Sequence, residues 1–192
     1  AFSWCEGREF YALLMEQGTG KTPITINDAA RRWSRGEIDC LLVLAPNGVQ
    51  TNWVRREIPK HLPRWVLART ADFTSSRSQR KTRELSLLLE PGAGELRVVT
   101  ANWEALITEA GVEFLCEFAA SARRGVMLVA DEAHRIKNPD AKTTKSLFKH
   151  LRSRARVRVT MTGTPLPNGP WGAWAQCNFL DTSILREPSY VA

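Results

Sequence analysis

The sequence is poor in cysteine, and none of its cysteines has a metal-binding spacing. The four residues, Cys5, Cys40, Cys116 and Cys177, lie far apart, with no C-x-x-C pair and no histidine at ligand spacing. This pattern argues against a zinc site. A chain of 192 residues can bury a sizeable core without disulfides. We therefore interpret the thiols as reduced core residues of an intracellular protein.

Long apolar runs and secretory signals are also missing. No stretch approaches the roughly 20 apolar residues that a membrane-spanning helix needs. Glu6, Arg8 and Glu9 interrupt any signal-peptide-like apolar segment near the start. Without repeats or a composition shift, the chain is expected to form one domain over residues 1–192 and to have no membrane partner. Because it begins at Ala1 and not at methionine, we interpret it as a fragment.

The charge is unbalanced towards the positive side. The 27 lysines and arginines exceed the 20 acidic residues, which gives a formal net charge of +7. Such a balance favours an anionic partner, and nucleic acid is the commonest one. Many basic proteins have no such partner, so charge alone leaves the function open.

Short apolar runs alternate with stretches of helical spacing. Near-continuous apolar runs are typical of parallel strands covered on both faces. The alternation predicts an α/β domain with a mostly parallel sheet and helices on both faces, whose ligands bind at the carboxyl ends of the strands. The predicted strands are Tyr11–Met15, Cys40–Ala45, Trp65–Ala68, Leu96–Thr100, Val126–Ala130 and Val157–Met161.

Six helices are expected between and after these strands. We predict that Pro59 ends the second helix, because proline cannot continue a helix interior. The first helix is predicted to begin at Lys21, and the fifth to follow Pro139. The second, third, fourth and sixth helices are predicted over residues 47–58, 75–90, 102–122 and 170–180.

The octet MEQGTGKT, residues 15–22, lies between the first strand and the first helix. Glycines let backbone N–H groups converge on a phosphate, and the helix that follows directs its positive end at the anion. Lys21 could then reach the outer phosphates, and the Thr22 hydroxyl could ligate Mg²⁺. Gly18, Thr19 and Gly20 would form the cradle. The general pattern G-x-x-x-x-G-K-[ST] has glycine where this sequence has Met15.

The strand at 126–130 ends in Asp131-Glu132-Ala133-His134. Two carboxylates after a buried strand are costly unless they have a partner. Asp131 is predicted to hold Mg²⁺, and Glu132 to orient and deprotonate an attacking water. The alternative is a solvated acidic turn. Together with the octet, the pair predicts an ATPase site.

These and four further segments resemble the Swi/Snf-type branch of the superfamily-two helicases. The octet resembles motif I, which tolerates a non-glycine first position, and DEAHRIKNPDAKTTK from Asp131 resembles motif II and its continuation. VTMTGTPLPN, residues 159–168, resembles motif III, although Pro167 stands where glutamine is usual. Motif Ia is resembled by LLVLAPNGVQTNWVRRE (41–57). A later motif with threonine at its strand end is resembled by VVTANWEAL (98–106), and the helix after motif III by WGAWAQCNFL (171–180).

The resemblance implies the N-terminal RecA-like lobe of a P-loop NTPase, which binds ATP and Mg²⁺. It implies that His134, Thr162, Gly163 and Thr164 couple the ATP site to nucleic acid. It also implies backbone contacts with double-stranded DNA through Pro46, Asn47, Thr100 and Asn102. A second RecA-like lobe, in cis or in trans, would supply the arginine fingers that have no counterpart here. We therefore expect slow turnover by this lobe alone.

Two alternatives to a DNA translocase or remodeller stay open. One is a strand-separating helicase or restriction-type motor of the same superfamily. The other is a non-hydrolysing module that binds nucleotide as a scaffold.

Several tryptophans and arginines have a structural and a functional interpretation. Trp53 lies in helical register with Val49, so we expect it to pack beneath its helix and not to stack on a base. Trp171 and Trp174 are expected in the core. The residues Arg152, Arg154, Arg156 and Arg158 are interpreted as a solvated approach to a strand, with a phosphate-contacting stripe as the alternative.

Overall fold

The computed structural model describes residues 5–74, 78–92, 94–164 and 173–185, except for the side chain of residue 80. Its strands are β1 (Phe10–Leu14), β2 (Cys40–Ala45), β3 (Ala68–Phe73), β4 (Leu96–Asn102), β5 (Val126–Asp131) and β6 (Val157–Thr162). They form one sheet in the order β1-β6-β5-β2-β4-β3, and every pairing is parallel. All six carboxyl ends therefore share one edge of the sheet, as the predicted α/β fold requires.

Seven α-helical segments accompany the strands in the described residues. They are α1 (Lys21–Ser34), α2 (Val49–Asn52), α3 (Ile58–His61), α4 (Gln79–Leu89), α5 (Glu109–Ala120), α6 (Lys142–His150) and α7 (Ala173–Leu180). A π-helical turn, Trp53–Glu57, joins α2 to α3. Short 3-10 turns cover Trp103–Ile107, Ala133–Ile136 and Arg152–Arg154.

Successive residues of the central strands pack on opposite faces of the sheet. In β2, Leu41 and Val43 join the cluster that contains Ile26 of α1. Leu42 and Leu44 join the other cluster, with helices α4 to α7. Both faces are therefore buried, which is why these strands have near-continuous apolar sequences.

The third strand was predicted at the wrong residues. The apolar run Trp65–Ala68 suggested a strand there, but Trp65 and Leu67 are exposed and the strand occupies Ala68–Phe73. This strand lies at the sheet edge, and only Ala71 and Phe73 of its residues are buried, whereas the others are half-buried. The sequence ARTADF of this strand has too few apolar residues to be found as an apolar run.

Two helix boundaries also differ from the predictions. Helical backbone continues past Pro59 to His61, and Pro59 stands in the first turn of α3, directly after the π turn Trp53–Glu57. The helix expected over 102–122 is divided at Thr108, whose extended backbone and side-chain hydroxyl cap α5 at Gly111 N. The start predicted at residue 170 lies outside the described residues.

Arg158 is buried and not part of a solvated approach. Its guanidinium lies 3.8 Å from the centre of the Phe10 ring, and Nη1 donates to the Arg152 carbonyl. Burial lowers the pKa of Arg158 to about 10. Val157, Val159 and Met161 pack in the core as predicted.

Candidate functional site

The loop of residues 15–20 lies between β1 and α1 at the carboxyl edge of the sheet. Gly18 and Gly20 have φ of 77° and 93°, and a Cβ atom on either would meet open space. Gly20 begins α1 without a side-chain cap. Free N–H groups of a first helical turn attract anions, so the loop has the form of a phosphate cradle.

Lys21 points into this loop. It is 8% exposed, and its Nζ donates to the carbonyl oxygens of Met15 and Glu16 over 2.7 and 2.8 Å. The ammonium group therefore holds the loop and stays beside the position of a bound anion. Thr19 is exposed and donates to the Glu16 carbonyl, and Thr22 is half-buried in the first turn of α1.

Asp131 ends β5 at the same edge and is 7% exposed. Burial raises the pKa of its carboxyl. The hydrogen bond from Trp53 and the charge of Lys21 oppose this rise, whereas the charge of Glu132 adds to it. Lys21 begins α1 directly after the loop that follows β1, so Lys21 and Asp131 lie at the same edge of the sheet.

Glu132 has a left-handed backbone, with φ 52° and ψ 54°, and is the one described residue other than glycine with positive φ. Its Oε2 lies 3.1 Å from His134 Nδ1, and the Thr162 hydroxyl donates to Oε2 over 3.5 Å. Thr162 in turn accepts from Thr164 N. The structure therefore brings Glu132, His134, Thr162 and Thr164 together.

The end of β6 also contacts the cradle. Met15 N donates to the Thr162 carbonyl over 3.3 Å. A Cβ atom on Gly163 would lie 3.5 Å from Gln17 N, so this glycine packs directly against the loop. Pro165 and Asn168, two residues of the segment 159–168 that resembles motif III, lie outside the described residues.

The four residues expected to contact nucleic acid differ in accessibility. Asn47 is exposed, and Pro46 and Asn102 are half-buried. Asn102 also caps the following turn by accepting from Ala105 N. Thr100 is fully buried, and its hydroxyl donates to the Gln50 carbonyl, so this side chain is not available to a phosphate.

Sequence reasoning missed two indole donors at the site. Trp53 is buried as expected, but its Nε1 also donates to Asp131 Oδ2 over 2.9 Å. Trp103 Nε1 donates to the Asp131 carbonyl over 3.2 Å. Helical spacing predicts burial of Trp53 but does not identify its partner, which is 78 residues away. Trp174 is half-buried, and Trp171 lies outside the described residues.

The residues present fit a metal-bound polyphosphate. The cradle offers backbone N–H groups and Lys21 to an anion, and Asp131 is a desolvated carboxylate whose charged form a cation would favour. The described parts of the chain, this site included, contain no group of three or more His, Cys, Asp or Glu side chains that could hold a metal ion. Within those parts, no helix has the length and apolar character of a membrane span. All four cysteines are free.

Comparison with known proteins agrees with this geometry. The yeast (Saccharomyces cerevisiae) transcription regulatory protein SNF2 is 32% identical over 172 residues, which cover 89% of this chain and 9% of that protein. The Arabidopsis thaliana ISWI chromatin-remodeling complex ATPase CHR11 is 31% identical over 88% of this chain and 15% of its own length. The chain thus spans a small part of these relatives.

A solved structure has the same fold. The Sulfolobus solfataricus SWI2/SNF2 ATPase core, in complex with double-stranded DNA, superposes with a TM-score of 0.69 and 23% identity, over 97% of this chain and 35% of that one. The UvsW helicase of bacteriophage T4 superposes with a TM-score of 0.60 and 13% identity, over 90% of this chain and 52% of that one. The family model for the SNF2-related domain matches residues 12–190. This chain therefore belongs to the SNF2-related domain family.

Proposed function

We propose that residues 1–192 form the N-terminal RecA-like, ATP-binding lobe of a DNA-dependent ATPase that translocates on or remodels double-stranded DNA. The observation that carries this proposal is the shared position of Lys21 and Asp131 at the carboxyl edge of one parallel sheet. Membership of the SNF2-related family supports the choice of ATP and DNA over other phosphate ligands.

In this proposal the cradle holds the nucleotide phosphates. Backbone N–H groups of Gly18, Thr19 and Gly20 donate to phosphate oxygens, and Lys21 exchanges its carbonyl partners for the outer phosphates. Thr22 and Asp131 would hold Mg²⁺. The metal would supply neutralisation of negative charge on the phosphates.

Glu132 is the proposed general base for the attacking water. Its Oε2 lies against the His134 ring and the Thr162 hydroxyl, which orient it and restrain its rotation. Thr162, Gly163 and Thr164 connect this acid to the end of β6 and, through Met15, to the cradle. The same contacts are the proposed coupling of the ATP site to nucleic acid.

DNA contact is proposed at the loop of residues 46–48 and at Asn102. Asn47 is exposed at the carboxyl end of β2, and Asn102 ends β4, the adjacent strand. Contacts of this kind would reach the phosphate backbone, so affinity should fall steeply with salt and depend little on sequence. The complex of the Sulfolobus SWI2/SNF2 core with double-stranded DNA supports this choice of partner.

A second RecA-like lobe, in cis or in trans, is proposed to complete the ATP site. Arginine fingers of such a lobe would stabilise transition-state charge and raise the rate by roughly a thousandfold or more. Slow hydrolysis by this chain alone follows from that proposal. An intracellular location is proposed with it, since the substrate is DNA.

The substitution Lys21→Ala tests the ATP site. We expect the affinity for a fluorescent ATP analogue to fall by about tenfold or more, because a charge-assisted contact with phosphate is lost. Lys60→Ala is the matched control, since Lys60 is exposed on α3. Unchanged affinity in Lys21→Ala would refute the proposed site.

ATP hydrolysis with and without duplex DNA tests the rest of the proposal. Hydrolysis that duplex DNA accelerates is expected of a translocase lobe. Nucleotide binding with no hydrolysis under either condition, also after addition of a second lobe, would identify a scaffold. Separation of duplex strands would identify an unwinding helicase.

A further inference from the structure

An indole N–H fixes the orientation of the carboxylate that we propose as a magnesium ligand. Trp53 is 1% exposed, and its Nε1 donates to Asp131 Oδ2 over 2.9 Å. The backbone N–H of Glu132 donates to Oδ1 over 3.0 Å. Each oxygen of the carboxylate therefore has one donor, and rotation of the carboxyl group would break both hydrogen bonds.

A second indole holds the backbone of the same residue. Trp103 begins the turn after β4, and its Nε1 donates to the Asp131 carbonyl. The segments after β2 and β4 thus each contribute one tryptophan that donates a hydrogen bond to Asp131, at the end of β5. Because Trp103 fixes the main chain, a displacement of Trp53 would change the direction of the carboxyl group and leave the strand in place.

Trp53 stands on a helix that starts at the loop proposed to contact DNA. Asn47 and Gly48 are exposed, and α2 begins at the next residue, Val49. Trp53 lies four positions after Val49, which corresponds to about 6 Å along a helix axis. The helix widens to a π turn from Trp53 onward, and such turns are frequent at functional sites.

The helix is short, and hydrogen bonds tie it to β4 and β3 before Trp53. The Gln50 carbonyl accepts from the buried Thr100 hydroxyl over 2.8 Å, and the Thr51 hydroxyl donates to Asp72 Oδ2 over 3.2 Å. Both contacts lie between the exposed loop and the buried indole. A shift of the loop would reach Trp53 and its contact with Asp131 through this one helix.

We propose that Trp53 is a positioning residue that links nucleic-acid contact at residues 46–48 to the direction of the Asp131 carboxylate. This inference rests on the proposed function, in which DNA binds the loop and Asp131 holds magnesium. DNA bound to the loop changes the position of Trp53 Nε1 and, through it, the affinity of the site for the metal. By reciprocity, the metal-bound nucleotide changes the affinity for DNA.

The substitution Trp53→Phe tests this link, because it keeps an aromatic ring and removes the N–H donor. In this variant the Mg²⁺ midpoint, which is the Mg²⁺ concentration that gives half-maximal binding of an ATP analogue, should be about tenfold higher than in the wild type. A change of this size is expected for the loss of a hydrogen bond to a charged group. Analogue binding without Mg²⁺ stays unchanged. Duplex DNA shifts the Mg²⁺ midpoint in the wild type and no longer does so in the variant.

Trp33→Phe is the matched control. Trp33 lies near the end of α1 and stacks on Trp65, with ring centroids 6.2 Å apart, so it is a tryptophan without a contact to Asp131. This variant should respond to Mg²⁺ and DNA as the wild type does. A structural role of Trp53 alone would lower the unfolding temperature of Trp53→Phe without abolishing the DNA-dependent shift of the Mg²⁺ midpoint.

The indole N–H signals of the unsubstituted protein give a measurement that does not depend on how the variant folds. Signals assigned through the two variants should show that the Trp53 N–H resonance shifts on addition of duplex DNA and that the Trp33 resonance does not. A Trp53 signal insensitive to DNA, or an undiminished DNA effect in Trp53→Phe, would overturn the inference. Full analogue affinity in Lys21→Ala would refute the proposed function and, with it, this link.

Discussion

The imidazole of His134 and the hydroxyl of Thr162 lie 3.4 Å apart, and both contact the same oxygen, Oε2 of Glu132. His134 comes from the turn after β5, and Thr162 ends β6, the adjacent strand. The proposed general base is therefore held by side chains from two neighbouring strand ends. Its carboxylate direction depends on how the two strands are positioned relative to each other.

The first prediction concerns His134. The Nδ1 atom of His134 contacts Glu132. The side-chain amide nitrogen of asparagine can occupy nearly the position of Nδ1, whereas the amide nitrogen of the longer glutamine lies beyond it. We expect His134→Asn to keep most of the ATP hydrolysis and His134→Gln to lose about tenfold. Single-turnover hydrolysis with duplex DNA measures the difference, and analogue binding should be unchanged in both. Equal losses would contradict a role of Nδ1.

The second prediction concerns the left-handed backbone of Glu132. Glu132→Ala and Glu132→Gly remove the same side-chain contacts, but only alanine retains the strain of a Cβ atom at φ 52°. Glu132→Gly should therefore be more stable than Glu132→Ala by about 1 kcal/mol. Urea unfolding measures the difference. An alanine variant at least as stable as the glycine variant would show that this backbone is not strained.

The third prediction compares two glycines of the site. Gly20 has φ 93°, so Gly20→Ala should cost about 1–2 kcal/mol of stability and weaken nucleotide binding. Gly163 has no positive φ, and an added Cβ atom would be at an ordinary contact distance of 3.5 Å. Gly163→Ala should therefore leave the free energy of unfolding nearly unchanged. A larger loss of stability in Gly163→Ala than in Gly20→Ala would show that steric space, and not backbone conformation, restricts substitution at these glycines.

The fourth prediction concerns Asp39, at the opposite edge of the sheet. Burial by itself would raise the pKa of this carboxyl, but N–H groups of Arg123, Arg124 and Gly125 and the Arg97 guanidinium outweigh it and hold the pKa below 3.8. The charged form is thus favoured by folding. Its stabilisation is present above pH 3.8 and is lost as the pH falls through the lower, folded value.

Asp39→Asn should therefore lower the free energy of unfolding at pH 7 by about 2 kcal/mol. The difference from the wild type should shrink in acid, below pH 3.8. Asp140→Asn is the control, because Asp140 and its partner Lys145 are 75% and 63% exposed and such pairs contribute little. A loss of stability that is constant over the whole pH range would contradict the assignment to the charged carboxylate.

Local patterns in the sequence were sufficient to predict most of the strands of this sheet. The apolar runs of β2, β5 and β6 predict buried parallel strands because both faces of the sheet are covered. The same patterns failed at β3, where Ala68–Phe73 forms an edge strand with polar residues, and at Pro59, which begins a new helical turn. At β3 the parallel pairing with β4 decided the conformation.

The chemistry that the site offers is encoded locally: a glycine-rich loop with Lys21 follows one strand, and Asp131 and Glu132 follow another. The partners of these groups depend on how the chain folds. Trp53 donates to a carboxylate 78 residues away, and Thr100 turns its hydroxyl to Gln50 instead of to solvent. Strand order and helix packing bring distant residues together, and no local pattern of residues encodes these distances.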